Sequence, residues 1–191
     1  QDIGNYYGAG ADVLNWRENQ YDLVLKSGKS IGDKVSVVEI IPMLYSVGFI
    51  SYVTSAAKGT GDRSYIYLPV NSSIATVRGT IPINEERFVI SGAMPSGNNQ
   101  FVATLMDKLS NLGFTRKLST QSIDKFSPQQ IPEEKITIFH TERSPPLDSM
   151  VYWFLKKSIN LYGEAFIKTI ADQSGKRATT ENGIELVKEL W

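Results

Sequence analysis

The stretch from Ser144 to Ile170, SPPLDSMVYWFLKKSINLYGEAFIKTI, constrains this chain more than any other. Leu147, Met150, Val151 and Phe154 recur at i, i+3, i+4 and i+7, the spacing of one apolar helix face. Pro145 and Pro146 sit where a helix start tolerates proline. A second stripe, Tyr162, Phe166 and Ile170, runs at i, i+4 and i+8. Between the stripes lie Lys156, Lys157, Ser158, Ile159 and Asn160. Each residue turns a helix by roughly 100°, so Ser158 and Asn160 would point roughly 200° apart on a continuous one. Both face one cleft only if the chain bends between them. On spacing alone, Asn160 reads as the N-cap of a restarted helix, a role that asparagine fills well.

The residues around this triplet are more specific than the triplet itself. Ser-Pro-Pro-Leu at 144–147, followed by Lys-Lys-Ser-x-Asn-Leu-Tyr-x-Glu at 156–164, resembles the second active-site motif of one penicillin-binding family. That family is the low-molecular-mass, class C D-alanyl-D-alanine carboxypeptidases. Penicillin-recognising serine enzymes carry three motifs, Ser-x-x-Lys, Ser-Asp-Asn and Lys-Thr-Gly. The middle one reads Ser158-Ile159-Asn160 here, with isoleucine in place of aspartate. Val77-Arg78-Gly79-Thr80-Ile81-Pro82 and a helix ending at Gly113 resemble the region that interrupts the family's penicillin-binding domain between its first and second motifs. The resemblance is weak before residue 70. The link from Ser91 to Gln100 is short for the family and leaves no room for a further strand.

Whole-chain properties set bounds. The 191 residues suffice for one or two domains with a core. Twenty basic and twenty acidic side chains cancel, which argues against a nucleic-acid binder. Without cysteine, disulfides and thiolate metal sites are excluded, though this does not fix the compartment. The apolar run Val151 to Leu155, even extended by Met150, is far below the ~20 residues that span a bilayer. No signal peptide is recognisable. The first residue is Gln1 rather than methionine, which suggests a processed product or a piece of a longer chain.

Glycine-rich stretches invite nucleotide readings and fail them. A GxGxxG pattern starting at Gly8 would need glycine where Val13 stands, and no strand precedes it. Gly28-Lys29-Ser30 imitates the end of a P-loop whose first glycine would have to replace Leu23. Strands are expected over 21–26, 34–41 (ended by Pro42), 74–80 and 87–91. A hairpin is expected from 49–55 and 64–70 around Gly59-Thr60-Gly61-Asp62. Asn98 or Asn99 should cap a helix with a buried stripe of Phe101, Leu105, Leu109 and Leu112, stopped by Gly113. A strand at 114–118, a Ser/Gln/Pro-rich loop at 119–133 and a strand at 135–140 follow. Residues 174–179 lead to a last helix on which Ile184, Val187 and Trp191 share a face. The fold class is α+β. The expected division is a β-rich inserted region over 1–137, with its helix near 98–112, and a helical piece of a penicillin-binding domain over 138–191.

The resemblance implies a serine peptidase chemistry. A serine attacks the peptide carbonyl, a lysine one helical turn away moves protons, and a strand carries Lys-Thr-Gly. Carried over to matching positions, Ser158 relays a proton between that lysine and the leaving nitrogen, and Asn160 orients substrate and lysine. Both are candidate catalytic residues, and Asn160 also binds substrate. Lys157 precedes the motif in the family too but takes no chemical step here. Literal copies of the other motifs occur at Ser55–Lys58, Ser122–Lys125 and Lys26-Ser27-Gly28. None suits. Ser55 ends an expected strand, Ser122 lies in the Ser/Gln/Pro loop, and Lys26-Ser27-Gly28 comes before Ser158 rather than after it. The nucleophile and the Lys-Thr-Gly strand are therefore expected outside residues 1–191, and the chain alone is expected to be inactive. His140, the one histidine, cannot build a metal site by itself and is read as ending a strand. Glu142 and Glu164 read as surface carboxylates, Glu164 alternatively as a favourable charge near a helix N-terminus.

Two functions follow. One is an internal part of a periplasmic, exported D-Ala-D-Ala carboxypeptidase, and an endopeptidase on peptidoglycan cross-links. Its substrates are peptidoglycan stem peptides, it is sensitive to β-lactams, and it uses no metal or organic cofactor. The other is a non-catalytic cell-wall or protein interaction module on the same scaffold. Helix faces cut off from the family's central sheet would also favour self-association.

Overall fold

A computed structural model describes residues 4–12, 14–45, 47–69, 72–114 and 140–191. These residues form strands β1 (Gln20–Lys26), β2 (Ser36–Ile41), β3 (Gly48–Ala56), β4 (Arg63–Tyr67), β5 (Ile74–Pro82) and β6 (Phe88–Ala93). They also form helices α1 (Gly97–Asn111), α2 (Leu147–Lys157), α3 (Asn160–Gln173) and α4 (Thr180–Leu190). The class is α+β, as expected.

The strand with the strongest apolar alternation takes the centre. Tyr21, Leu23 and Leu25 project from one side of β1 and are almost wholly buried, while Val24 is buried on the other. A strand covered on both faces belongs inside a sheet. β1 is flanked by antiparallel β2 and β6. A second sheet runs β3-β5-β4, with β3 parallel and β4 antiparallel to β5. Tyr21, Leu23, Leu25 and Ile90 of the first sheet join Val53, Ile66, Val77 and Ile81 of the second in one core. Each such fully buried aliphatic or aromatic side chain contributes about 1.5–3 kcal/mol. Main-chain bonds from Val35 N to Val53 O and from Ser55 N to Asp33 O tie the sheets together at one end.

The strand positions match expectation closely; one pairing does not. β3 and β4 do not form a hairpin, because β5 lies between them. The connection over 57–62, with Gly59 and Gly61 at positive φ, spans two strand spacings, about 10 Å, rather than one. Gly79 of β5 makes this possible. Its φ is 112°, and a Cβ there would fall 2.1 Å from Arg63 O of the neighbouring strand. Nothing in the local turn residues distinguishes a strand that pairs with its predecessor from one that leaves a slot for its successor.

Two further expectations need correction at α1. Its N-cap is Ser96, whose side chain accepts from Asn99 N at 3.4 Å, so Asn98 and Asn99 stand inside the first turn. The stripe on α1 is not core: Leu105 is exposed and Leu112 is 76 % exposed. α1 docks instead through the rim of that stripe. Phe101 meets Trp16 edge to face at 5.9 Å, and buried Gln100 donates to Met43 O at 2.7 Å. Gly113 ends the helix at φ 88°, as expected. β6 gives way to α1 with no strand between them. The expected elements between 115 and 139, and Ser122–Lys125 with them, lie outside the described residues. No helix among the described residues is long and apolar enough to cross a membrane.

Candidate active site

α2 begins after Pro146, with Asp148 in its first turn and Lys156 and Lys157 in its last, so charge opposes the helix dipole at both ends. It stops at Ser158, which adopts φ 54° and ψ 45°. Glycine is the usual residue in that left-handed position; a side chain there costs about 1–2 kcal/mol. Ile159 is extended and serves as N-cap of α3, without a side-chain bond. The chain therefore does bend between Ser158 and Asn160. Asn160 is the first residue of α3 rather than its cap, which corrects the capping reading. Its Nδ2 donates instead to Tyr7 O at 3.2 Å.

The bend brings both side chains to the wall of one cavity of about 300 Å³, together with Lys157 and Leu161. The facing wall comes from the start of the chain, as Tyr6, Tyr7 and Glu18. Glu18 is the middle of a left-handed turn, Arg17 (φ 55°), Glu18 (φ 54°) and Asn19 (φ 52°). Three consecutive side-chain-bearing residues in this region cost about 1–2 kcal/mol each. Asn19 offsets part of that. Buried in the fold, it accepts from Trp16 N at 3.1 Å and donates to Gly10 O at 3.0 Å and Asn15 Oδ1 at 2.8 Å. A turn held in a sparsely populated conformation beside a cavity is a common mark of a functional wall.

Glu164 is not a surface carboxylate. Its Oε2 accepts from Ala11 N at 2.7 Å, and its Oε1 accepts from Thr180 Oγ1 at 3.3 Å and pairs with Lys168 Nζ at 2.9 Å. Lys168 Nζ also donates to Ala11 O at 2.7 Å. One side chain thus joins α3, α4 and the chain's first segment, and α3 holds Tyr6 to Ala11 against Ser158 and Asn160. Behind the bend, Phe154 of α2 packs edge to face on Phe166 of α3 at 5.9 Å, over Gly163.

A model of the family of D-Ala-D-Ala carboxypeptidase 3 (S13) matches residues 1–190. The chain belongs to that S13 family. Two solved structures share the fold of this S13 chain, both of penicillin binding protein 4 (dacB) from Haemophilus influenzae. One superposes at a TM-score of 0.66 with 16 % identity, over 98 % of this chain and 40 % of its own length. The other, complexed with a novel β-lactam, gives 0.56 with 17 % identity, over 90 % and 38 %. The chain therefore spans about two-fifths of those proteins. No curated protein matches the sequence.

Within the S13 chain the two literal motif copies among the described residues are bonded into the sheets. Ser55 is 2 % exposed on β3, and its Oγ accepts from Gly28 N at 3.0 Å. Ser27 is buried and accepts from Glu85 N at 2.9 Å. His140 is exposed, with Nε2 at 3.2 Å from Glu142, which is thus a paired carboxylate. Sequence reasoning missed Glu18 and the first-segment wall. Asn19, tolerant of the left-handed region, was the only local signal, since arginine and glutamate carry none.

Proposed function

We propose that this chain supplies the second active-site motif of a serine D-Ala-D-Ala carboxypeptidase acting on peptidoglycan stem peptides, with endopeptidase action on cross-links. The observation that carries the proposal is the left-handed break at Ser158, which sets Ser158 and Asn160 on one cavity wall in an S13 chain. A hydroxyl both donates and accepts, so Ser158 can pass a proton between a lysine amine and a departing nitrogen. The Asn160 amide, fixed through Tyr7 O, orients substrate and that lysine through its remaining carbonyl oxygen. Lys157 and Glu18 lend the cavity one charge of each sign.

In this reading residues 1–137 form an inserted region and 138–191 a helical piece of the penicillin-binding domain. The parent protein is exported to the periplasm and is acylated by β-lactams. In this reading the nucleophile and the Lys-Thr-Gly strand come from chain outside residues 1–191; burial and bonding of Ser55 and Ser27 in the sheets support it, and Ser122 stays as the alternative that adduct mapping addresses.

The test is to label the full-length gene product with a tagged penicillin and map the adduct by peptide mass spectrometry. The reading predicts one adduct, on a serine that opens a helix as Ser-x-x-Lys upstream of Gln1. An adduct on Ser55 or Ser122, or no adduct at all, would overturn it. Read beforehand, the flanking gene sequence should carry Ser-x-x-Lys upstream and Lys-Thr-Gly downstream.

A further inference from the structure

The turn Tyr6–Gly8 lends side chains to two cavities. Beyond the one that holds Ser158 and Asn160, Tyr6 and Tyr7 also line a second cavity of about 300 Å³. Its other walls are Asp62, Ser64 and Tyr65 from the second sheet and Ser91 from the first. Tyr6 and Tyr65 are half exposed, and the Tyr6 and Tyr7 rings stand edge to face at 5.2 Å. The turn is pinned to both sheets. Buried Asn5 accepts from Ile66 N at 3.0 Å through Oδ1 and bridges Gly92 through its backbone.

We propose that this second cavity is a saccharide subsite that takes a neutral, hydroxyl-rich ring. Resting on the carboxypeptidase reading, that ring is a sugar of the glycan strand that carries the stem peptide. Three features select this chemistry. Tyrosine rings offer flat faces for the C–H side of a sugar, and Ser64 Oγ and Ser91 Oγ, which donate to Asp62 Oδ1 and Asp22 Oδ1, keep lone pairs that accept from its hydroxyl groups. Asp62 is the one charged side chain in the lining among the described residues, which disfavours anionic ligands. Its Oδ1 accepts from Ser64 N and Ser64 Oγ, while its Oδ2 takes no partner among the described residues and remains an acceptor for a hydroxyl. A peptide backbone would instead add to a free strand edge. β4 is such an edge, but its Ser64 and Ile66 amides are already satisfied by Asp62 and Asn5 side chains. The shared Tyr6 and Tyr7 wall makes the two cavities neighbours, so one ligand with sugar and peptide parts can occupy both.

Calorimetric titration of the full-length gene product with the N-acetylglucosamine tetramer tests this directly, beside Tyr65→Ala and Asp62→Asn. The amide oxygen introduced by Asp62→Asn would still accept from Ser64 N and so keep the turn. Saturable binding is expected, weakened about tenfold or more in each variant, the size of one lost aromatic or charged contact. D-Alanine release from a sugar-free pentapeptide should be unchanged in both. No saturable binding, equal affinity in the variants, or displacement of the tetramer by the sugar-free pentapeptide would overturn the subsite. Sugar binding is read without turnover. Its loss in a protein that still releases D-alanine counts against the subsite alone. Its presence, sensitive to both variants, in a protein inert on every peptide counts against the carboxypeptidase reading and leaves a saccharide site standing.

Discussion

Ser158 holds a left-handed conformation that glycine would hold at less cost, so its side chain is retained against a backbone preference. This separates chemistry from stability by substitution. Ser158→Gly should leave stability to denaturant unchanged or raise it, by up to ~1 kcal/mol, while acylation by penicillin collapses. A glycine variant that acylates normally would reduce Ser158 to a C-cap. Asn160→Ala should cost only ~0.5–1.5 kcal/mol, one hydrogen bond to Tyr7 O rather than a helix cap, as chemical denaturation would measure. The family was legible because the flanks of the Ser-x-Asn triplet are long and specific. The geometry of the triplet was not, since αL at serine has no signature in the sequence.

Tyr21 carries a different prediction. Burial pushes its hydroxyl well above the ordinary tyrosine value, and the hydroxyl has no bonding partner among the described residues. The unfolded chain loses this proton near pH ~10 while the folded chain keeps it. The unfolded state then binds fewer protons, so this contribution to stability is complete below pH ~10 and is lost as pH rises further. Tyr21→Phe should abolish that part of the alkaline loss and cost little at neutral pH, because no hydrogen bond is broken. Melting curves of both proteins from neutral to strongly alkaline pH would reveal it; parallel curves would contradict it.

At the scale of elements, the site depends on α3 gripping the first segment. Glu164→Ala would leave Ala11 N and Lys168 without their carboxylate, and hydrogen bonds to charged groups contribute about 1.5–3 kcal/mol. Partial exposure of the pair places the expected loss at the low end of that range. Amide exchange should quicken at Ala11 and its neighbours and leave β1 unchanged. A uniform effect across both sheets would mean that the contact supports the whole fold, not the cavity wall. Glu164 was visible in the sequence as a match to the family, but its three partners come from positions 11, 168 and 180, and the distant ones leave no local trace. The strands were legible from alternation and from Pro42. The order β3-β5-β4 was not, because it depends on Gly79 admitting Arg63 O rather than on the turn between β3 and β4.

For the whole molecule, the outstanding feature is uncovered apolar helix surface. α2 has no buried residue; Leu147, Val151, Trp153 and Leu155 are exposed, as is Ile170 of α3. Trp191, expected to share a face with Ile184 and Val187, is almost wholly exposed. Periodicity named Leu147 and Val151 but not Trp153 and Leu155, and it named the covering wrongly for α1, since a pattern says which side is apolar but not whether a partner lies within the chain. The carboxypeptidase reading covers α2 and α3 with the central sheet of the parent protein. Residues 1–191 alone should therefore self-associate, with the sedimentation coefficient rising with concentration. A concentration-independent monomer would contradict this. The central claim, that Ser158 relays a proton in the parent enzyme, is tested most directly by the rate of penicillin acylation per folded molecule of the full-length Ser158→Ala protein. A slowing of roughly 10²–10⁴-fold is predicted, the worth of a general acid–base step. Acylation at the wild-type rate would contradict it.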